Sequence, residues 1–196
     1  MRAVIVLAVA ATALSGCEVS GYALVPTTGA VPVANGAMTI HPAGAWNKAQ
    51  SAAVRSPEEF WTQNGPVLDR VYFVGAVKDG DAIVKQRPND ERKVPVFHPT
   101  MTPQDLTSMV ESAYRIRRGA KVFETTGVKP VTFLGQQGVQ FDFNYMGDDD
   151  VRRRGRSMLA VAGEKLYMMT LEGTALHYFD AALPEFDAMA ASASIH

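Results

Sequence analysis

The chain has 196 residues, a net charge of −1, 47% hydrophobic residues and a single cysteine. That length suits one domain with a sizeable core. Near-neutrality gives no global electrostatic footprint for nucleic acid, and a lone cysteine excludes any internal disulfide.

The first segment reads as an export signal. Arg2 supplies a minimal positive start, Ala3 to Ala13 is apolar apart from Thr12, and the small residues Ser15 and Gly16 follow. The apolar run is about a dozen residues, short of the roughly 20 that a helix needs to cross a hydrocarbon core. Leu14-Ser15-Gly16-Cys17 resembles the lipobox of bacterial lipoproteins. The resemblance implies removal of residues 1–16 and a diacylglycerol on the sulfur of Cys17, because a thiolate is the nucleophile that takes the lipid. Buried acyl methylenes, at about 0.8 kcal/mol each, then anchor the protein stably. The plainer reading is an ordinary secretory signal followed by a chance cysteine. Glu18, where Asp favours inner-membrane retention in enteric bacteria, leans toward the outer membrane.

Residues 17–35 are rich in Gly, Pro, Thr and small side chains, and they read as a lipidated Cys17 followed by a flexible tether; the alternative is that Tyr22 to Val25 and Val31 to Val33 dock on the domain. Residues 36–196 read as one globular domain. Its expected first strand is Ala37 to Ile40. Trp46 and Trp61 flank a polar stretch with no assignable period. Leu68 to Val77 is a strong strand, rich in β-branched and aromatic residues, and Ala82 to Lys85 is expected to return as its hairpin partner across Lys78 to Asp81. Residues 86–102 form a long connection, and loops of that length in compact domains are often functional.

Thr102, Pro103 and Asp105 form a helix start. Leu106, Met109, Val110, Ala113 and Tyr114 supply its apolar face, and Gly119 its left-handed stop. Strands are expected at 121–126 and 131–134. Val139, Phe141, Phe143 and Tyr145 alternate with Gln140, Asp142 and Asn144, as a half-buried strand requires. Two further strands cover 152–161 and 165–171. A last helix over 176–193 carries Pro184, expected to kink or divide it near Leu183.

This order predicts an α+β fold, a single antiparallel sheet packed by helices. The segments GVQFDFNY (138–145) and GEKLYMMTL (163–171), the Arg-containing strand between them and the terminal helix resemble the C-terminal half of the PsbP and Mog fold group. The resemblance implies an α-β-α sandwich and a non-enzymatic accessory protein that binds partners. It places no binding residue on this chain.

Candidate sites are few. Arg152, Arg153, Arg154 and Arg156 follow Asp148-Asp149-Asp150 across a turn. They are candidates for contact with a protein partner or with lipid headgroups. Alternatives are a divalent cation on the acids, or weak pairing at a solvated hairpin end. Trp46, Trp61 and Phe97, with the 86–102 loop, are candidates to line an apolar groove for a peptide, lipid tail or partner; otherwise they complete the core. His41, His98, His177 and His196 show no metal-ligand spacing. Ser108 and Ser157 lie in no Gly-x-Ser-x-Gly elbow, and phosphate-loop and dinucleotide fingerprints are absent. The expectation is a lipid-anchored cell-envelope protein facing the periplasm, with an envelope protein partner, no nucleic acid, no metal and no cofactor. An envelope hydrolase and a carrier of an apolar ligand are the alternatives.

Overall fold

A computed structural model of the chain describes residues 21–50 and 58–195. The signal segment and Cys17 lie outside those residues. The elements are β1 (Tyr22–Leu24), β2 (Val31–Val33), β3 (Met38–Ile40), β4 (Asn47–Ala49), β5 (Glu58–Thr62), β6 (Asp69–Val77), α1 (Pro103–Arg117), β7 (Val122–Phe133), β8 (Gln136–Met146), β9 (Arg152–Ala162), β10 (Lys165–Thr174) and α2 (Tyr178–Ala191). Eight strands form one antiparallel sheet in the order β1-β4-β5-β6-β10-β9-β8-β7, and β2 and β3 pair separately. The fold is α+β, with a large antiparallel sheet and a helix on each face.

Alternation along the strands builds two cores. On the α1 face, Val139, Phe141, Phe143 and Leu159 meet Leu106, Met109, Val110 and Tyr114 of α1. On the α2 face, Trp61, Phe73, Met169 and Leu171 meet Phe179, Phe186 and Met189 of α2, with Val33, Met38 and Ile40 of the small hairpin. The start of α1 is fixed by a reciprocal capping box: the Thr102 hydroxyl accepts from the Asp105 amide, and the Asp105 carboxylate accepts from the Thr102 amide. Gly119 stops the helix in the left-handed region at φ 63°.

Several expectations change. Within residues 21–35 the docking alternative holds, because Tyr22–Leu24 forms the edge strand β1 on β4, and Val33 is fully buried. The unassigned stretch between the tryptophans supplies β4 and β5. Ala82 to Lys85 does not form a hairpin with β6, because β5 and β10 already occupy both edges of that strand. Ala82 makes only an isolated bridge to Val96, and Ile83, Val84, Val94 and Phe97 cover the α1 face instead. The two strands expected over 121–134 are one strand, β7, with a bulge between Thr126 and Lys129. The bulge inserts a residue and reverses the side-chain alternation. Phe123 therefore packs on the α1 face, whereas Val131 and Phe133 pack on the α2 face. Pro184 does not divide α2, which runs through it with the proline exposed.

Candidate functional site

Alternation along β9 separates the four arginines. Arg153 lies on the α1 face, where its guanidinium grips Asp149 with two bonds of 2.9 and 2.7 Å. The Arg153 hydrogen bonds draw the Asp149 carboxyl down to about 2. Arg154 and Arg156 lie on the α2 face. Arg154 reaches both carboxylate oxygens of Asp180 at 2.7 and 2.9 Å and sits 4.6 Å from the centre of the Phe179 ring. Arg156 forks onto Asp142 at 2.7 and 2.9 Å and onto Asp187 of α2 at 2.9 Å. Its guanidinium pKa is raised, first by the Asp142 hydrogen bonds. Arg154 and Arg156 thus tie α2 to the sheet. Arg152 is exposed and makes no ion pair among the described residues.

The three aromatics chosen as groove residues do not come together. Trp46 and Trp61 are buried in the core under α2, and Phe97 is buried in the core under α1, on the opposite side of the sheet. The Trp46 indole donates to Glu185 of α2 at 2.5 Å, and the Trp61 indole to Glu59 at 2.9 Å. These side chains complete the two cores and line no groove. The cause is the sheet itself, which passes between them.

An apolar groove does open beside the end of the 86–102 loop, with a volume of about 450 Å³. Leu106, Val139 and Leu159 form its floor, Pro99, Met101 and Pro103 one wall, and Val128 and Pro130 of the β7 bulge the other. Lys129 and Gln137 stand at its rim. Volume and lining suit one apolar side chain cluster or acyl tail. The sequence reading named the loop and missed the second wall. Gly127, between two strand-like halves, is the signal that marks such a bulge. A second trough, also about 450 Å³, lies on the α2 face among Val122, Glu124, Asn144, Met146, Arg152 and Ala175.

One cluster of titratable groups is buried. The Glu172 carboxylate lies 2.6 Å from Arg70, accepts from Tyr114 at 2.7 Å and from Tyr72 at 3.2 Å. Burial pushes Glu172 up, but Arg70 and Arg118 and the tyrosine hydroxyls outweigh it and hold the acid below its ordinary value. Burial first, then Glu172, pushes the Tyr114 and Tyr145 hydroxyls well above theirs. The void beside this cluster is about 20 Å³, room for no more than a water molecule. The cluster joins β6, β10 and α1. His98 bonds Asp79 at 2.6 Å, and no group of three or more possible metal ligands occurs among the described residues.

No protein-family model and no curated protein matches the chain. The fold is similar to that of the cyanobacterial PsbP (CyanoP) from Synechocystis sp. PCC 6803, with a TM-score of 0.58 over 93% of this chain and 99% of that one, at 14% identity. It is also matched by LpqN, described as involved in cell envelope biogenesis of Mycobacterium tuberculosis, with a TM-score of 0.41 over 85% of this chain and 89% of that one, at 14% identity. The two-layered helix packing on one antiparallel sheet, together with the first of these similarities, makes the fold of this chain PsbP-like.

Proposed function

We propose that the chain is a lipid-anchored bacterial cell-envelope protein, held through Cys17 and facing the periplasm, that serves as a non-enzymatic accessory or binding module. The observation that carries this reading is the short distance in sequence between the lipobox cysteine and the folded domain. Only Glu18, Val19 and Ser20 separate Cys17 from Gly21, where the described fold begins. A lipid on Cys17 would hold the domain within roughly 13 Å of its attachment point at about 3.3 Å per residue. Envelope residence further rests on the signal-like residues 1–16. The accessory role is supported by the use of charged side chains: Arg154, Arg156 and Glu172 are engaged in pairs that join elements of the fold, and Arg153 in a pair with the turn before β9.

The test is Cys17→Ala in the native host, followed by fractionation and mass spectrometry. The expected result is loss of the lipid mass and release from the membrane fraction. An unchanged mass and unchanged membrane association would overturn the anchor. Crosslinking in intact cells then tests the accessory role, which expects one dominant envelope protein in the captured fraction. The groove under Val128 favours a second reading, a carrier of an apolar ligand. That reading expects lipid to co-purify with the protein and to be lost in Leu106→Asp.

A further inference from the structure

The groove beside the end of the 86–102 loop has two chemical properties that select its occupant. The first is a shortage of hydrogen-bonding groups. Its floor is Leu106, Val139 and Leu159, and Lys129 and Gln137 are the only polar side chains in its lining. Pro99 and Pro103 on one wall and Pro130 on the other have no amide N–H to donate. A bound peptide would bring amides and carbonyls of its own, each costly to bury without a partner. The neighbouring edge does not supply those partners. β7 is the outermost strand of the sheet, and a bulge between Thr126 and Lys129, followed by Pro130, interrupts it beside the groove. Bulges and prolines on an edge stop a further strand from pairing. A hydrocarbon chain needs no such partners and gains from every methylene that leaves water.

The second property is charge. Lys129 is exposed, is the one charged residue in the lining, and makes no ion pair among the described residues. No carboxylate lines the groove. The cross-strand partner of Lys129 is Gln140. Asp142, two residues along β8, is held by Arg156 at 2.7 and 2.9 Å. Asp105, in the first turn of α1, accepts from the Thr102 amide and hydroxyl at 2.8 and 2.7 Å. A second hollow that shares Pro99, of about 290 Å³, differs in this respect. Lys78 and Lys165 line it together with Asp79 and Glu164, so its lysines are matched in number by carboxylates.

We propose that the groove holds a long-chain fatty acid, with the acyl tail between the proline walls and the carboxylate on the Lys129 ammonium. The proposal deepens the carrier reading and rests on it, not on the anchor at Cys17. A single groove of about 450 Å³ suits one tail. One lysine without a carboxylate matches one negative charge, whereas a phosphate monoester would bring close to two. The ammonium stays at the rim in water, and the carboxylate meets it there without being buried.

The test uses the full-length chain, expressed and processed in its host and placed in phosphatidylcholine nanodiscs. Three photoreactive probes share one 16-carbon diazirine tail and end in a carboxylate, an alcohol or a phosphate. Labelled residues are mapped by peptide mass spectrometry. The expected result is labelling by the acid at residues 99–106 and 128–130, several-fold above the alcohol and the phosphate, and removed by excess palmitic acid. Lys129→Met should lower labelling by the acid several-fold and leave the alcohol unchanged, which also shows that the variant is folded. Lys165→Met, in the hollow with matched charges, should change neither. Val128→Asp places a charge on the exposed wall and should lower labelling by all three. Equal labelling by acid and alcohol, stronger labelling by the phosphate, or no effect of Lys129→Met overturns the fatty acid while the carrier reading stands. No labelling of residues 99–106 and 128–130 by any probe overturns both.

Discussion

Gly155 on β9 is the cross-strand partner of Phe143 on β8, and the phenyl ring lies over it so closely that a β-carbon at Gly155 would overlap the ring carbons. The ring has no room to withdraw. It stacks on Phe123 at 4.9 Å and meets the edge of Tyr114 at 5.0 Å. Gly155→Ala is therefore expected to destabilise the fold by about 2 kcal/mol, through overpacking. Phe143→Leu vacates the space that the methyl needs. Urea unfolding should show the double variant less destabilised than the sum of the two singles. Additive losses would show that the contact between ring and glycine is not the source of the strain.

The buried ion pair of Arg70 and Glu172 gives a second prediction. Glu172 is almost fully buried, and its charge is supported by Arg70 at 2.6 Å. Arg70→Leu leaves a buried carboxylate without its closest cation, at an expected cost of about 3 kcal/mol. The sign of the pH dependence follows. With Arg70 gone, Arg118 and the tyrosine hydroxyls still oppose burial, and the expected outcome is that burial prevails and the Glu172 pKa rises above its unfolded value. The stability of the variant is then greatest below about pH 4 and declines as pH rises toward neutrality. Adding Glu172→Gln removes the charge and should flatten that decline, with Tyr114 still able to donate to the amide oxygen. A pH-independent loss in the single variant would argue against an ionised Glu172.

The α1 helix and the strands β8 to β10 were legible because each carries a local signal that the tertiary structure does not overrule. Thr102, Pro103 and Asp105 specify a helix start on their own, and the alternation from Val139 to Tyr145 specifies a strand and its buried face. The misread segments depend on contacts distant in sequence. β1 and β4 are three residues each; β4 pairs on the edge that β5 offers, and β1 in turn on the edge of β4. Ala82 to Lys85 has strand-like composition, but the edge it would need is taken by β5. The candidate site was legible in part. The loop and Met101 were visible, whereas the wall made by Val128 and Pro130 depends on a bulge, and the placement of Phe97 away from Trp46 depends on which face each strand presents.

The capping box predicts a smaller, local effect. Thr102→Ala removes the acceptor for the Asp105 amide and leaves one of the first helical amides without a partner. The expected cost is about 1 kcal/mol. Thr102→Ser keeps the oxygen and should retain most of the stability. Hydrogen exchange offers the sharper readout, because the amides of the first turn should lose protection in Thr102→Ala while those around Ala113 do not.

The pair of Asp149 and Arg153 predicts the acid limb of the stability curve. The Arg153 hydrogen bonds lower the folded Asp149 carboxyl to about 2, against an ordinary 3.8 in the unfolded chain. As pH falls, the unfolded state takes up the proton first. The stabilisation from this pair is thus complete above about pH 4 and disappears as pH falls through 2. Asp149 is largely solvent-exposed, so screening limits the contribution to about 0.5–1 kcal/mol. Asp149→Asn should therefore differ from the parent chain at pH 6, and the pH-dependent part of that difference should vanish toward pH 2. It should also shrink in high salt, which screens an exposed carboxylate more than a buried one. A difference that stays constant from pH 6 to pH 2 would assign the effect of the substitution to packing around Arg153 and not to the ion pair.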